Sequence, residues 1–356
     1  MQAAEFDYPL PPDLIAQHPA PVRDHSKLMV LHREDRTIEH RIFADLPKIL
    51  RTGDLLALND SKVLRARLRA RRATGAAIEL LLIEEVSVNE WWCLLRPAKR
   101  VALGATVGLL DAEGQPVGIA VRPLALREDG ARRVRFEGVA DIRTELDRLG
   151  EVPLPPYIER GAAPSGDDAA RYQTVYARTA GSVAAPTAGL HVTQDLLARL
   201  AARGVELAHV TLHVGLGTFA PVKEEDLSRH RMHAEAYEVS VQAAAAIARA
   251  RREGRRVVAL GTTSARTLET AALTDSREVQ AGSGRSTLFI YPPCDFRVVD
   301  ALVTNFHLPR STLLMLVCAF ASPGGLDGRD FVLRAYREAV DRGYRFYSYG
   351  DAMLIQ

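Results

Sequence analysis

Apolar positions in this chain recur at two periods, and the change of period divides it into three stretches. Up to about Arg65, two strand-like runs, "KLMVLHR" and "GDLLALN", flank "IFADLPKIL". From Ala66 to Glu151 the short runs "AIELLLIEE", "EWWCLLR", "ATVGLLD", "PVGIAVRPL" and "RRVRFEG" follow one another between Gly and Pro, and helical spacing appears only at "DIRTELDRLG". That punctuation predicts an antiparallel sheet or small barrel. From Val152 to the end, helices and strands alternate. "TQDLLARLAARG" has helical spacing and a Gly204 stop, and "VELAHVTLHVG" is the strand after it. The helix "VQAAAAIARARREG" precedes the strand "RRVVALG", and "SARTLETAAL" forms the next helix. "TLFIYP" and "DALVTNF" read as strands, "STLLMLVCAFA" and "GRDFVLRAYREAVDRG" as helices, and "YRFYSYG" as a last strand. The alternation predicts a sheet covered by helices. A β-rich block between two parts of an α/β body predicts an inserted domain, with residues 1–65 and 152–356 as the body and 66–151 as the insert.

Composition adds limits. The 356 residues are 47% hydrophobic and 25% charged, ordinary for a globular chain of about two domains. No run approaches the ~20 apolar residues of a membrane span, and the acidic, proline-rich start "MQAAEFDYPLPPDL" does not read as a secretory signal. Cys93, Cys294 and Cys318 lie far apart without a CxxC, so neither a disulfide framework nor a thiolate metal cage is expected. A reduced, cytoplasmic protein follows. Net charge is only +2, but it is unevenly spread. "SKVLRARLRARR" carries Lys62, Arg65, Arg67, Arg69, Arg71 and Arg72 and no acid, and "RPAKR" and "ARRVR" add to it. Three basic clusters in one third of the chain favour a polyanionic partner over a merely solvated face.

The candidate chemistry sits where strands end. "VTLHVGLGTFAPV" places His213 there, then Gly215 and Gly217; "VVALGTTSARTLE" opens a helix with Thr262 and Thr263 and has Arg266 in its first turn. "DALVTNFHLPRSTLL" ends at Asn305 and His307, "YRFYSYGDAMLI" at Asp351, and "PTAGLHVT" sets Thr187, Gly189 and His191 before a helix capped by Thr193. Small residues let backbone approach a ligand, and helix starts offer free N–H groups. Each loop alone reads as a tight turn; the repetition favours a cleft at the carboxyl ends of the strands. "GLGTF" lacks a full dinucleotide fingerprint, and "GTTSART" lacks the lysine of a phosphate loop. "HRMHAE" lacks the spacing of a metal site, which leaves His233 and Glu235 as acid/base candidates beside His191, His213 and His307.

Taken in order, "FDYPLPPDLIAQHPAPVRDHSKLMVL", "LNDSKVLRARL", "PLPPYIER", "RYQTVYA", "GSVAAPTAGLHVT", "VTLHVGLGTFAPV", "HRMHAEAYEV", "GTTSARTLE", "LVTNFHLPRSTLLMLV" and "YRFYSYGDAMLI" closely resemble the S-adenosylmethionine:tRNA ribosyltransferase-isomerases of queuosine biosynthesis. The resemblance runs from Phe6 to Ile355; it departs at "LHVT", where the family usually has "LHFT", and at "RSTLFIYPPCDF". It implies a distorted α/β main domain, a mixed sheet or barrel with helices, carrying an inserted small all-β barrel.

The resemblance also implies transfer and isomerisation of the ribosyl group of S-adenosylmethionine onto 7-aminomethyl-7-deazaguanine at the tRNA wobble position. Epoxyqueuosine-tRNA, adenine and methionine would result. S-adenosylmethionine is then a consumed co-substrate, no further cofactor or metal is needed, and a monomer away from membranes is expected. The sulfonium acidifies the ribose 5′ hydrogens, so a base must reach them; the departing adenine needs a proton or hydrogen bonds; the attacking amine must be neutral. His191, His213 and His307 lead the proton-transfer candidates, with His233 and Glu235 next. Arg266 is assigned to the methionine carboxylate. Asn305 and Asp351 are assigned to ribose or base edges. Thr187, Gly189, Gly215, Gly217, Thr262, Thr263, Asn59, Asp60 and Ser61 would line the cleft. Lys62, Arg65 and Arg67 would meet anticodon-loop phosphates. Two alternatives are an S-adenosylmethionine-dependent RNA methyltransferase, which would release S-adenosylhomocysteine, and a non-catalytic RNA-binding module, which would leave S-adenosylmethionine intact.

Overall fold

The computed structural model describes residues 1–160, 167–215, 222, 224–272 and 278–356. Among them, nine strands form one mixed sheet. Four lie parallel at its centre, in the order β13 (Glu206–Leu212), β3 (Leu55–Asn59), β15 (Val257–Leu260) and β17 (Ala301–Asn305). On one side follow β14 (Glu235–Val239) and β16 (Gly282–Ser286), both antiparallel. On the other side β18 (Ala352–Ile355) runs antiparallel to β17 and parallel to β1 (Lys27–Leu31), and β2 (Ile38–Ile42) closes the edge.

The central strands read as unbroken apolar runs because both faces are covered. Along β3, Leu55 and Ala57 enter one core while Leu56 and Leu58 enter the other, and Val257/Ala259 against Val258/Leu260 in β15 do the same. That is the two-residue period of a strand dividing its side chains between layers. The first face is covered by α5 (Val241–Arg252), α6 (Thr262–Ala271), α7 (Thr312–Ala321) and α8 (Gly328–Asp341); α1 (Leu46–Ile49) and α4 (Gln194–Ala202) cover the second. Thr193, Ser240 and Ser311 cap α4, α5 and α7 by accepting a backbone N–H three residues on. Among the described residues, no helix is long and apolar enough to cross a membrane.

The β-rich insert is a closed barrel. β5 (Arg67–Arg72), β6 (Ala77–Ser87), β7 (Glu90–Arg96), β10 (Arg132–Glu137), β9 (Pro116–Leu126) and β8 (Val107–Leu110) pair antiparallel in that order, and β8 returns to pair with β5. Alternate residues such as Leu68, Ala70, Leu80, Leu82, Cys93 and Val134 fill its interior. The chain enters after β4 (Ser61–Val63), which pairs with β12 (Thr179–Ser182), and leaves through α2 (Leu146–Leu149) and β11 (Gly150–Glu151), ahead of the short helix α3 (Asp168–Arg171). β11 lies beside β5. A Cβ at Gly150 would fall 1.9 Å from the Arg65 carbonyl, so only glycine fits where the entering and leaving strands meet.

Two strands lie elsewhere than their apolar runs predict. Beside β14 the ladder uses Gly282–Ser286 rather than "TLFIYP". The Tyr237 ring lies over Gly284, where a Cβ would come within 3.0 Å, while Pro292 and Pro293 have no N–H to give a ladder. "YRFYSYG" is a tight bend, with Tyr347 at φ +71° and the Gly350 N–H donating to the Tyr347 carbonyl. The strand begins only at Ala352.

Candidate active site

Because β13, β3, β15 and β17 run parallel, their carboxyl ends share one edge of the sheet, and the loops after them gather there. The loop before β18 reaches the same edge, since β18 is antiparallel to β17. A 3-10 turn, Thr187–His191, packs beside β17. Two small hollows of about 20 Å³ each meet there, sharing Thr187, His307 and Leu313. Tyr157, Asn305 and Tyr347 flank the first; Gly261, Thr262 and Thr263 flank the second. Thr187, Thr262, Thr263, Asn305 and His307 therefore lie on one groove.

His191 is fully occupied by its neighbours. Nε2 accepts from Asn305 Nδ2 at 3.0 Å, so Nδ1 carries the proton and donates to Ser26 Oγ at 2.7 Å. The ring stacks on Phe43 at 4.9 Å. Burial, reinforced by Arg345 and Arg23, pushes its pKa down to about 3, which keeps the imidazole neutral. Asn305 Nδ2 also donates to the Tyr347 carbonyl at 3.2 Å, which fixes the direction of the amide. Its Oδ1 is left buried without a hydrogen-bond partner among the described residues. His307 is buried and also lowered to about 3 by desolvation. Its Nε2 meets Thr304 Oγ1 at 2.8 Å, and its backbone is clamped by Tyr336 and Tyr8.

His213 differs from both. It is half-buried, and burial lowers its pKa while Asp60 partly restores it. Nδ1 meets Ser61 Oγ at 2.9 Å, Ser61 meets Ser182 Oγ at 2.5 Å, and Ser182 accepts the Val214 N–H at 2.9 Å. Gly181 lies flat under the ring, where a Cβ would come within 2.5 Å. This chain of hydroxyls fixes the ring and leaves Nε2 without a protein partner among the described residues.

Other sequence candidates serve the framework. Asn59 joins β3 to β13 through the Leu212 N–H and carbonyl, and Asp60 accepts from Thr211 Oγ1 at 2.7 Å. Asp351 accepts the Lys27 and Arg345 N–H groups, holding the bend before β18. Gly189 lies against Tyr176, whose hydroxyl a Cβ would meet at 2.1 Å. Glu235 and Arg266 form a buried ion pair at 2.5 Å, with the Gly215 N–H donating to Glu235 at 2.9 Å. Arg266 Nη2 has no hydrogen-bond partner among the described residues. His233 is exposed, and His230 packs its ring against Phe289, so "HRMHAE" does not converge on one point. Gly217 lies outside the described residues. Lys62 and Arg65 line a separate cleft of about 300 Å³. Arg67 is not on it and reaches toward the Leu154 carbonyl instead.

Sequence reading missed Ser26, Ser182 and Tyr157. Nothing local marks a single serine in "HSKL" or "AGSV". The tyrosine of "PLPPYIER" was visible as a motif, yet its place beside Tyr347, ring centroids 4.8 Å apart, is a tertiary fact.

The family model described as queuosine biosynthesis protein matches residues 3–355. The chain belongs to that family. It is 53% identical over 351 residues to the S-adenosylmethionine:tRNA ribosyltransferase-isomerase of Gloeobacter violaceus, covering 98% of this chain and 94% of the relative. Identity to the protein of the same name from Symbiobacterium thermophilum is 51% over 356 residues, covering all of both chains. A crystal structure of S-adenosylmethionine tRNA ribosyltransferase from Thermotoga maritima is 43% identical, with a TM-score of 0.56, over 99% of this chain and 100% of that one. In this family member the groove residues Thr187, Asn305 and His307 fall within "PTAGLH" and "TNFHLPRS", two of the segments that carry the resemblance.

Proposed function

We propose that this chain transfers and isomerises the ribosyl group of S-adenosylmethionine onto 7-aminomethyl-7-deazaguanine at the tRNA wobble position, releasing adenine and methionine. The observation that carries this reading is the gathering of Thr187, Thr263, Asn305 and His307 on one groove, with His213 on a neighbouring loop. S-adenosylmethionine is a consumed co-substrate. Residues 66–151 form the inserted unit, and the enzyme works as a cytoplasmic monomer.

The reaction needs three separate services. A base must take an acidified hydrogen from the ribose 5′ carbon beside the sulfonium. His213 suits that role, because it is the least desolvated of the three leading histidines and its Nε2 has no partner among the described residues. Adenine leaves with the electrons of its glycosidic bond and gains a proton or hydrogen bonds in return; His307 and Asn305 Oδ1 supply polar contacts on the groove. The neutral aminomethyl group then attacks the ribosyl carbon and sheds a proton, and methionine leaves with the electron pair of its carbon–sulfur bond. His191 acts one step back, as a positioning residue that holds the Asn305 amide. Arg266 is committed to Glu235 through one nitrogen and keeps Nη2 for the methionine carboxylate.

The deciding experiment incubates the protein with S-adenosylmethionine and precursor-modified tRNA and analyses nucleosides and small products by mass. Epoxyqueuosine with equal adenine and methionine is expected. S-adenosylhomocysteine with a methylated nucleoside in their place would sink the reading.

A further inference from the structure

A cavity of about 300 Å³ lies apart from the groove. It opens between the root of the barrel and the body. Arg65 and Asp147 line it from the junction segments that flank the barrel, Lys62 from β4, and Arg23, Gln173 and Thr174 from the body. We propose that this cleft seats the phosphate backbone of the single-stranded RNA loop that carries the target base. The proposal rests on RNA being the acceptor, as read above.

Charge is the first argument. Three cations face one carboxylate, and that carboxylate, Asp147, is almost fully solvent-exposed and only 3.9 Å from Arg65. Lys62 is exposed on β4 without a carboxylate partner among the described residues. Arg23 has both Nη atoms on backbone carbonyls, Leu190 at 3.1 Å and Ala170 at 2.8 Å, so its charge is held in place but not neutralised. Burial and neighbouring Arg171 both lower the Arg23 pKa, the sign of a cation that an anion would relieve.

A buried orphan is the second. Thr174 is 4% exposed, and its Oγ1 has no hydrogen-bond partner among the described residues. An unmade buried hydrogen bond is costly, and rotation of the Thr174 side chain toward the cleft would let a phosphate oxygen beside three cations accept from it. Size is the third. About 300 Å³ is the lower end of the range for ligand pockets, room for a single nucleotide.

Position then connects the cleft to the chemistry. Arg23 holds Leu190, and Thr187, on the same 3-10 turn, lines the groove. Three residues of such a turn rise about 6 Å. The cleft and the groove therefore border the same turn. All three cations of the cleft belong to the body, and the insert adds only Asp147 to its lining.

The test measures binding of anticodon stem–loop RNA, and turnover with tRNA, for the wild type and four variants. Lys62→Glu, Arg65→Gln and Thr174→Val alter the cleft; Arg252→Glu, exposed on α5, makes the same charge change as Lys62→Glu outside it. Lys62→Glu is expected to weaken RNA binding at least tenfold, Arg65→Gln about fivefold and Thr174→Val about threefold, with KM for S-adenosylmethionine within twofold. The slope of log affinity against log salt falls by about one per cation removed. Circular dichroism confirms that each variant is folded. Binding by Thr174→Val equal to wild type, or a loss in Lys62→Glu no larger than in Arg252→Glu, overturns the proposal. If no protein transfers ribose while binding follows the expected order, the donor reading fails and the cleft stands.

Discussion

The barrel and the body are both built around sheets, but they treat polar groups in opposite ways. Among the described residues, none between 66 and 149 buries a polar or charged side chain, whereas the body buries Asn59, Asp60, Ser61, Ser182, His191, Thr263, Arg266, Asn305, His307 and others. The barrel closes on an apolar interior and places its ion pairs, such as Arg122–Glu137 and Arg143–Glu85, at the surface. Burying polar groups without full satisfaction is expensive. In the barrel that expense is confined to the Trp91 indole nitrogen and the Arg67 and Arg133 Nε atoms, buried without a partner among the described residues, whereas the body gathers whole polar side chains at the carboxyl edge of its sheet. The barrel's contribution is shape and surface charge.

The sharpest way to break this comparison is to disable the polar edge while leaving the fold alone. His213→Asn is expected to lower single-turnover adenine release by about 10²–10⁴-fold, with KM for S-adenosylmethionine little changed. Ser182→Ala, which loosens the hydroxyl chain behind the ring, gives a smaller loss of the same kind. Wild-type release in His213→Asn and in the alanine variants of His191 and His307 would remove the proton-transfer reading.

Next in size is the buried ion pair. Glu235→Ala leaves Arg266 buried without its partner, which is expected to destabilise the protein by about 3–5 kcal/mol in urea unfolding. Acidification probes the same edge. His191 and His307 have pKa values of about 3 when folded against an unfolded value near 6.5, so the unfolded chain binds more protons between those limits. Their stabilising contribution is complete above about pH 6.5 and is lost as pH falls toward 3. At pH 5 each histidine is expected to cost about 2 kcal/mol. His307→Gln should flatten its share of that dependence in denaturation curves measured from pH 7 to pH 4. A profile identical to wild type would show that the ring does not titrate as described. The smallest effect belongs to the barrel: Arg122→Ala breaks an exposed pair and should change stability by less than about 1 kcal/mol. A larger loss there would erase the contrast between the two regions.

Period, punctuation and caps in the sequence determined the alternation of helices with strands, the β-rich insert and the loops that carry His213, Thr263 and His307. They did so because each rests on neighbours a few residues away. The edge strand Gly282–Ser286 escaped, since its place depends on Tyr237 above Gly284 rather than on its own apolarity. The bend at Tyr347 escaped for the same kind of reason.

Only the tertiary structure divided the roles of the histidines. His191 is tied by Ser26 and Asn305, 165 and 114 residues away, and His213 by Ser61, 152 residues away. Desolvation and hydrogen-bond partners set whether an imidazole titrates, and both are supplied by chain that is remote until the sheet assembles.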